Sequence, residues 1–211
     1  MKSIKSLVFD FDNTIAKNVE PTDLLILNAV MKYNPCMDKK QLLAIIQDAT
    51  TDYEICEKLI PAENIESIYT EILRFNLENA EKVFYSPEIL KLISTLKNDY
   101  QLNIISGRDT FSLTHSLKKY GIEIFFEEII GGNSGFEAKP SPESLNYIVN
   151  KYNFNPSEIV FVGDSMTDYL TAKAAGCHFI HISWYDKEII SNDEIISCHS
   201  PHSFMNILMS F

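Results

Sequence analysis

Basic residues are scarce in this chain. Of 211 residues, 18 are Lys or Arg against 29 Asp or Glu, a net charge of −11, and Arg74 and Arg108 are the only arginines. Nucleic acid and anionic membrane surfaces are bound through clustered Lys and Arg, so the balance argues against both as partners. Long apolar runs are also missing. None approaches the ~18 residues of a membrane-spanning helix. The start, MKSIKSLVFDFDN, meets two aspartates before an apolar run can develop, so no signal peptide is expected and a cytoplasmic location is. The four cysteines (Cys36, Cys56, Cys177, Cys198) show neither C-x-x-C nor metal-finger spacing, and are expected to be reduced and structural. His178 and His181, three apart in a strand-like run, point to opposite faces and make a poor zinc pair. There is no internal repeat and no Gly/Ser- or Pro-rich linker. The remainder, 45% hydrophobic and 22% charged, is ordinary globular composition and excludes disordered and collagen-like classes. The length suits one large domain or one domain carrying an insertion. Such a chain buries roughly 70% of its unfolded surface and needs no disulfides.

The pattern along the chain is a strand, a helical block, then alternating helices and strands. Residues 4–9 (IKSLVF) read as a short buried strand. Residues 20–82 contain helical patterns only. One helix is expected over 22–33, a second from Asp38 through Gln47, a third from Thr51 or Asp52 through Leu59, and a fourth from about Asn64 to Lys82 after Pro61. Four helices in this space look like an inserted bundle. From Ser86–Pro87 the alternation starts: helix to about Asn98, strand 101–105, helix from Asp109 to Tyr120 closed by Gly121 and strand 127–132. A helix from Ser141–Pro142 to Tyr152 and strand 158–162 follow. The last elements are a helix over 166–175 closed by Gly176, strand 178–183 and a terminal helix over 200–209. Alternation of this kind implies parallel strands joined by right-handed crossovers. The fold class expected is α/β, a Rossmann-like parallel-sheet core (1–15 and 83–211) with an inserted four-helix cap (16–82). In such sheets ligands sit beyond the carboxyl ends of the strands. That is where the polar punctuation falls.

DFDNT (10–14) places Asp10 and Asp12 two residues apart after a buried strand. In extended geometry they share a face, and in a dry pocket each needs a cation or a proton. A turn using Asp and Asn for local hydrogen bonds explains them equally well in isolation. GDSMTD (163–168) follows another strand with Asp164 and Asp168 four apart. They share a helical face, or serve as an N-cap and a solvated charge. Carboxylates converging from two strand ends would suit Mg²⁺, a hard cation that takes oxygen ligands. Ser106 in IISGR ends a strand. It is either a turn serine or a hydroxyl that donates to a phosphate oxygen, helped by the following backbone N–H groups at Gly107 and Arg108. Lys139 in EAKPSPES precedes Pro140, which biases it to extended geometry; alone it reads as a surface lysine or a charge aimed inward. Arg108 could grip an anionic substrate group bidentately or make a salt bridge at the helix start. Arg74 could face the cleft or be solvated. Lys17 and Asn18 mark a hinge, Trp184–Tyr185 reads as packing, and His115 as an ordinary helix histidine.

These four motifs, in this order and each at its expected strand or helix, resemble those of the haloacid dehalogenase superfamily. The resemblance covers about residues 1–15 and 83–190. The helical block falls where phosphoglycolate-phosphatase-like members carry a cap. The resemblance implies a Mg²⁺-dependent phosphatase acting on a small phosphorylated metabolite. Asp10 resembles the nucleophile that forms an aspartyl-phosphate, and Asp12 the acid that protonates the leaving alkoxide and then activates water. Ser106, Gly107, Arg108 and Lys139 resemble the phosphoryl clamp. Asp10, Asp12 through its backbone carbonyl, Asp164 and Asp168 resemble the metal site. Keeping Asp12 argues against dehalogenation, because a halide leaves without a proton. Asn13 stands where many members have Gly, a tolerated turn residue. The rival expectations are a phosphomutase of the β-phosphoglucomutase type and a non-catalytic binding protein on the same fold.

Overall fold

The computed structural model describes residues 4–17, 22–33, 35–38, 40–42, 45, 52–79, 82–185 and 195–211. Its centre is β1 (Ser6–Phe9), four residues with every side chain buried. A strand buried on both faces needs apolar neighbours on both sides, and β1 obtains them by pairing in parallel with β2 (Gln101–Ile105) and β4 (Ile159–Gly163). β3 (Phe126–Ile130) extends the sheet beyond β2, and β5 (His178–Ile182) and β6 (Ile196–Cys198) extend it beyond β4. The result is six parallel strands in the order β3-β2-β1-β4-β5-β6.

Alternation along the strands separates two apolar layers. Leu7, Phe9, Leu102, Ile104, Val160, Val162, Ile180 and Ile182 face α4 (Pro87–Leu96), α5 (Thr110–Lys119) and α8 (Pro201–Leu208). Val8, Ile105, Ile159, Phe161 and Phe179 face α6 (Glu143–Tyr152) and α7 (Met166–Ala175). The helix α4 shows why these segments are helical. It buries Ile89, Leu92, Ile93 and Leu96, one stripe at three- and four-residue spacing, behind a Ser86 cap and a Pro at its first turn. Asp109 caps α5 by accepting from the Ser112 N–H at 2.9 Å, and Gly176 closes α7 in the left-handed region at φ +71°.

The helical block has its own core. The helices α1 (Thr22–Tyr33), α2 (Asp52–Leu59) and α3 (Ile65–Asn79) contribute Val30, Ile55, Cys56, Leu59, Ile68 and Ile72, with Leu42 and Ile60 between them. They form a cap-like insertion, and α3 lies against α5 of the core. Where the chain leaves and re-enters the core, Lys17 and Phe84 exchange two backbone hydrogen bonds of 2.9 and 2.8 Å. The expected hinge at Lys17 is therefore a two-stranded antiparallel bridge; Asn18 lies outside the described residues. Of the expected second cap helix, 38–47, residues 40–42 and 45 are described and helical, and 46–47 lie outside the described residues.

Three details differ from the sequence expectation. The fourth cap helix is described over Ile65–Asn79 and is preceded by a 3₁₀ turn over Ala62–Asn64, so it starts one residue later than Asn64. The helix α6 begins at Glu143, with Pro142 in the cap position and no side-chain cap bond there. The edge strand β6 was not anticipated, because three residues are too few to show a period of two. Truncation of Phe9, fully buried on the central strand, is expected to cost ~3–5 kcal/mol. Urea unfolding of Phe9→Ala checks this; a loss under ~1 kcal/mol would show that β1 is not the packing centre.

Candidate active site

The polar residues that follow β1, β2 and β4 meet at one edge of the sheet. Asp10 directly follows β1, and its N–H continues the ladder to Val162 O at 2.8 Å. The chain then turns tightly: the N–H groups of Thr14, Ile15 and Ala16 all donate to Phe11 O, and Asn13 adopts φ +60°. Asn tolerates that conformation better than most residues. The residues after β5 hold this turn from outside. Trp184 Nε1 donates to Thr14 O at 2.8 Å, and the Tyr185 hydroxyl donates to Ile15 O at 3.1 Å while accepting from the Ser86 N–H at 3.2 Å. The pair read as packing is thus also a brace for the first motif.

Beyond β4, Asp164 precedes the Ser165 cap of α7, and Asp168 is the third residue of that helix. Ser165 and Asp168 form a capping box: Asp168 Oδ2 accepts from the Ser165 hydroxyl at 2.6 Å and the Ser165 N–H at 3.1 Å. A Cβ on Gly163 would lie 2.5 Å from Asp168 Oδ2, so only glycine lets that carboxylate in. Its other oxygen, Oδ1, accepts from Lys139 Nζ at 2.6 Å, and the same ammonium donates to Asp10 Oδ1 at 2.8 Å. Lys139 comes from the β3–α6 connection, and its peptide bond to Pro140 is cis. All three side chains are buried.

Ser106 ends β2, is buried, and accepts from the Arg108 N–H through its hydroxyl at 3.1 Å. Gly131 and Gly132 after β3 lie hard against this loop. A Cβ on Gly131 would sit 2.6 Å from Arg108 O, and one on Gly132 would collide with Gly107 O. EEIIGG reads as a short strand over 127–132, but β3 ends at Ile130, and the paired glycines are the signal for close backbone approach. A small cavity lies here, lined by Ser106, Gly107, Gly131, Gly132, Lys139 and Ser144.

Asp10, Asp164 and Asp168 each offer a carboxylate oxygen, all within 4.8 Å of one another, and all three residues are buried. Among the described residues this is the one such cluster. Three carboxylates face a single ammonium, and the donors are oxygen only, a set that fits a hard divalent cation. Burial pushes the Asp10 carboxyl up to about 8; Lys139 opposes the rise, and Asp168, Asp164 and Asp12 add to it. Burial pulls Lys139 down, but Asp10 and Asp168 outweigh it and hold the ammonium charged well above its ordinary range.

The Asp12 carboxylate lies outside this cluster. It pairs with Arg108, Nη2 to Oδ1 at 2.6 Å and Nε to Oδ2 at 3.4 Å. Arg74 lies far from such a role, exposed on α3 within 3.8 Å of Glu78. His115 stacks on Phe111 along α5. All four cysteines are free thiols. His178 is exposed, and His181 is buried with Nδ1 on the Ser197 hydroxyl, so the two do face opposite sides.

A parallel sheet with an acidic cluster at the ends of β1 and β4, a lysine from the loop after β3 and a serine at the end of β2 is the frame of a haloacid dehalogenase-like hydrolase. The chain belongs to that family, whose model matches residues 7–182. The phosphoglycolate phosphatases of Haemophilus influenzae (strain 86-028NP) and Pasteurella multocida (strain Pm70) are each 27% identical to it, over 195 and 197 residues. The matched segments cover 85% and 87% of this chain and 86% and 88% of theirs. Among solved structures, a predicted phosphoglycolate phosphatase from Haemophilus somnus 129pt superposes with a TM-score of 0.78 at 22% identity, covering 97% of both chains. The HAD-hydrolase YfnB from Bacillus subtilis, solved bound to magnesium, gives 0.69 at 21% identity, covering 98% of this chain and 99% of its own. Among the described residues no helix is long and apolar enough to cross a membrane.

A proton on Asp10 competes with a cation for the same oxygens. Cation affinity should therefore fall as pH drops, with proton release on binding, because burial raises the Asp10 carboxyl. Calorimetric titration of the protein with Mg²⁺, in two buffers of different protonation heat, should report net proton release that grows as pH is lowered. Equal heats in both buffers would mean that Asp10 is already ionised without the metal.

Proposed function

We propose that this phosphatase hydrolyses a small phosphomonoester with Mg²⁺ held by Asp10, Asp164, Asp168 and the backbone carbonyl of Asp12. The observation that carries the reading is the buried contact of Lys139 with both Asp10 and Asp168. It supports reading Asp10 as a carboxylate nucleophile and Lys139 as its charge clamp beside the acidic cluster. Bound Mg²⁺ would neutralise the carboxylates and stabilise the charge on the transferring phosphoryl oxygens.

The steps fall to the chain's own residues. An Asp10 oxygen attacks phosphorus while the ester oxygen departs with a proton from Asp12. The product alcohol leaves, and Asp10 carries an acyl phosphate. Asp12, now a carboxylate, takes a proton from water, and the oxygen attacks phosphorus to restore Asp10 and release phosphate. Ser106, the Gly107 N–H and Lys139 orient the phosphoryl oxygens. Arg108 was expected beside them; in this structure its guanidinium lies on Asp12.

The core is taken as 1–15 and 83–211 and the cap as 16–82. The cap would close over the substrate and exclude water. The relatives' activity makes 2-phosphoglycolate the first ester to try. Free thiols throughout suit a cytoplasmic setting.

The reading is tested by hydrolysis of p-nitrophenyl phosphate, 2-phosphoglycolate and a panel of sugar and nucleotide monophosphates, with Mg²⁺ and with EDTA. Turnover should need the metal, and Asp10→Asn should lower it by at least ~10³-fold with an unchanged circular dichroism spectrum. A folded Asp10→Asn protein with wild-type rates would remove Asp10 from the mechanism. Turnover only with an added sugar bisphosphate would favour the mutase.

A further inference from the structure

We propose that Arg108 is a positioning residue for Asp12, fixing the carboxylate that exchanges the leaving group's proton. The inference rests on the acid–base reading of Asp12 and deepens it.

Asp12 sits on a turn, with its side chain 30% exposed. A carboxylate in that setting has several rotamers open to it. Proton transfer needs one of them, within about 2.6–3.2 Å of the ester oxygen. Arg108 meets it with two nitrogens on two oxygens, the planar grip a guanidinium offers and an ammonium does not.

Arg108 is itself held along its length. Its carbonyl accepts from the Gly132 N–H at 2.9 Å, and its N–H donates to the Ser106 hydroxyl at 3.1 Å. The guanidinium carbon stands 5.3 Å from the centroid of the Phe11 ring. Phe11 is fully buried and meets Tyr85 edge-on, and the Tyr85 hydroxyl bonds the Ser116 hydroxyl of α5 at 2.7 Å. The Arg108 side chain is only 7% exposed. An arginine covered by Phe11 on one side and committed to Asp12 at its tip presents little of itself to a substrate anion. The loops after β1, β2 and β3 thus form one chain of contacts ending at the Asp12 carboxylate. Lys139, meanwhile, is committed to Asp10 and Asp168 rather than to Asp12.

A residue that positions the general acid matters most when the leaving group most needs a proton. The test compares p-nitrophenyl phosphate, whose phenolate leaves readily, with phenyl phosphate, whose phenolate does not. The variants are Asp12→Asn, Arg108→Gln, Arg108→Lys and the double variant Asp12→Asn/Arg108→Gln, with thermal midpoints and Mg²⁺ affinities measured alongside. Arg108→Gln should lower kcat/KM by roughly 10²-fold on phenyl phosphate and less than ~10-fold on p-nitrophenyl phosphate, with Mg²⁺ affinity little changed. The double variant should be no slower than Asp12→Asn, because the arginine acts through that carboxylate. Arg108→Lys keeps the charge but loses the two-pronged grip, so it should show the same split in weaker form. It serves as the readout if Arg108→Gln does not fold. A raised KM with kcat unchanged on both esters, or losses that multiply in the double variant, would overturn the proposal and make Arg108 a substrate ligand. If Asp12→Asn lowers kcat/KM equally for both esters, the acid reading of Asp12 in the leaving-group step is what fails.

Discussion

One buried ammonium ties the active-site edge together. Lys139 joins Asp10, from the end of the central strand, to Asp168, in the first turn of α7, and it reaches them from the loop after β3. Moving one lysine and two carboxylates out of water costs several kcal/mol per ion, and the geometry must return it. It does so through two short contacts, the capping box that occupies the second oxygen of Asp168, and the missing side chain at Gly163. Asp164 adds a third buried carboxylate, and the excess negative charge suits the pocket to a divalent cation.

Around this centre the scaffold supplies rigidity in layers. The strands place Asp10, Ser106 and Asp164 at one edge because β1, β2 and β4 run parallel and end together. The turn after Asp10 depends on a brace from the other half of the sheet, where Trp184 and Tyr185 take the carbonyls of Thr14 and Ile15. Among the described residues, the cap helices pack an apolar cluster distinct from the two that line the sheet. The Lys17–Phe84 bridge ties together the two passages between core and cap. That division suits an enzyme whose chemistry is constant and whose selectivity lies in a movable cover.

Much of this was legible in the sequence, for physical reasons that differ between elements. The long helices and buried strands show their periods plainly, and caps such as Ser86–Pro87 and Asp109 mark their starts. DFDNT and GDSMTD stand out because paired carboxylates after apolar runs are costly without a partner. The partners themselves were not legible. Nothing local in EAKPSPES says that Lys139 reaches Asp168 as well as Asp10, and nothing in ISGRD says that Arg108 turns toward Asp12, 96 residues earlier. Both depend on how three loops meet in space. The Gly131–Gly132 contact and the short β6 strand were missed because neither has a period, and Trp184–Tyr185 was seen as packing without its hydrogen bonds.

The central claim is that Asp10 becomes phosphorylated during turnover, and the most direct measurement is to catch it. Rapid acid quench of the enzyme with ³²P-labelled substrate, followed by digestion and mass spectrometry, should place the phosphoryl group on the peptide containing Asp10. An acyl phosphate there should survive the cold acid quench, be lost in alkali and be released by hydroxylamine, whereas phosphoserine resists hydroxylamine. A single turnover that liberates phosphate with no label on the protein, or with label on Ser106, would contradict the account.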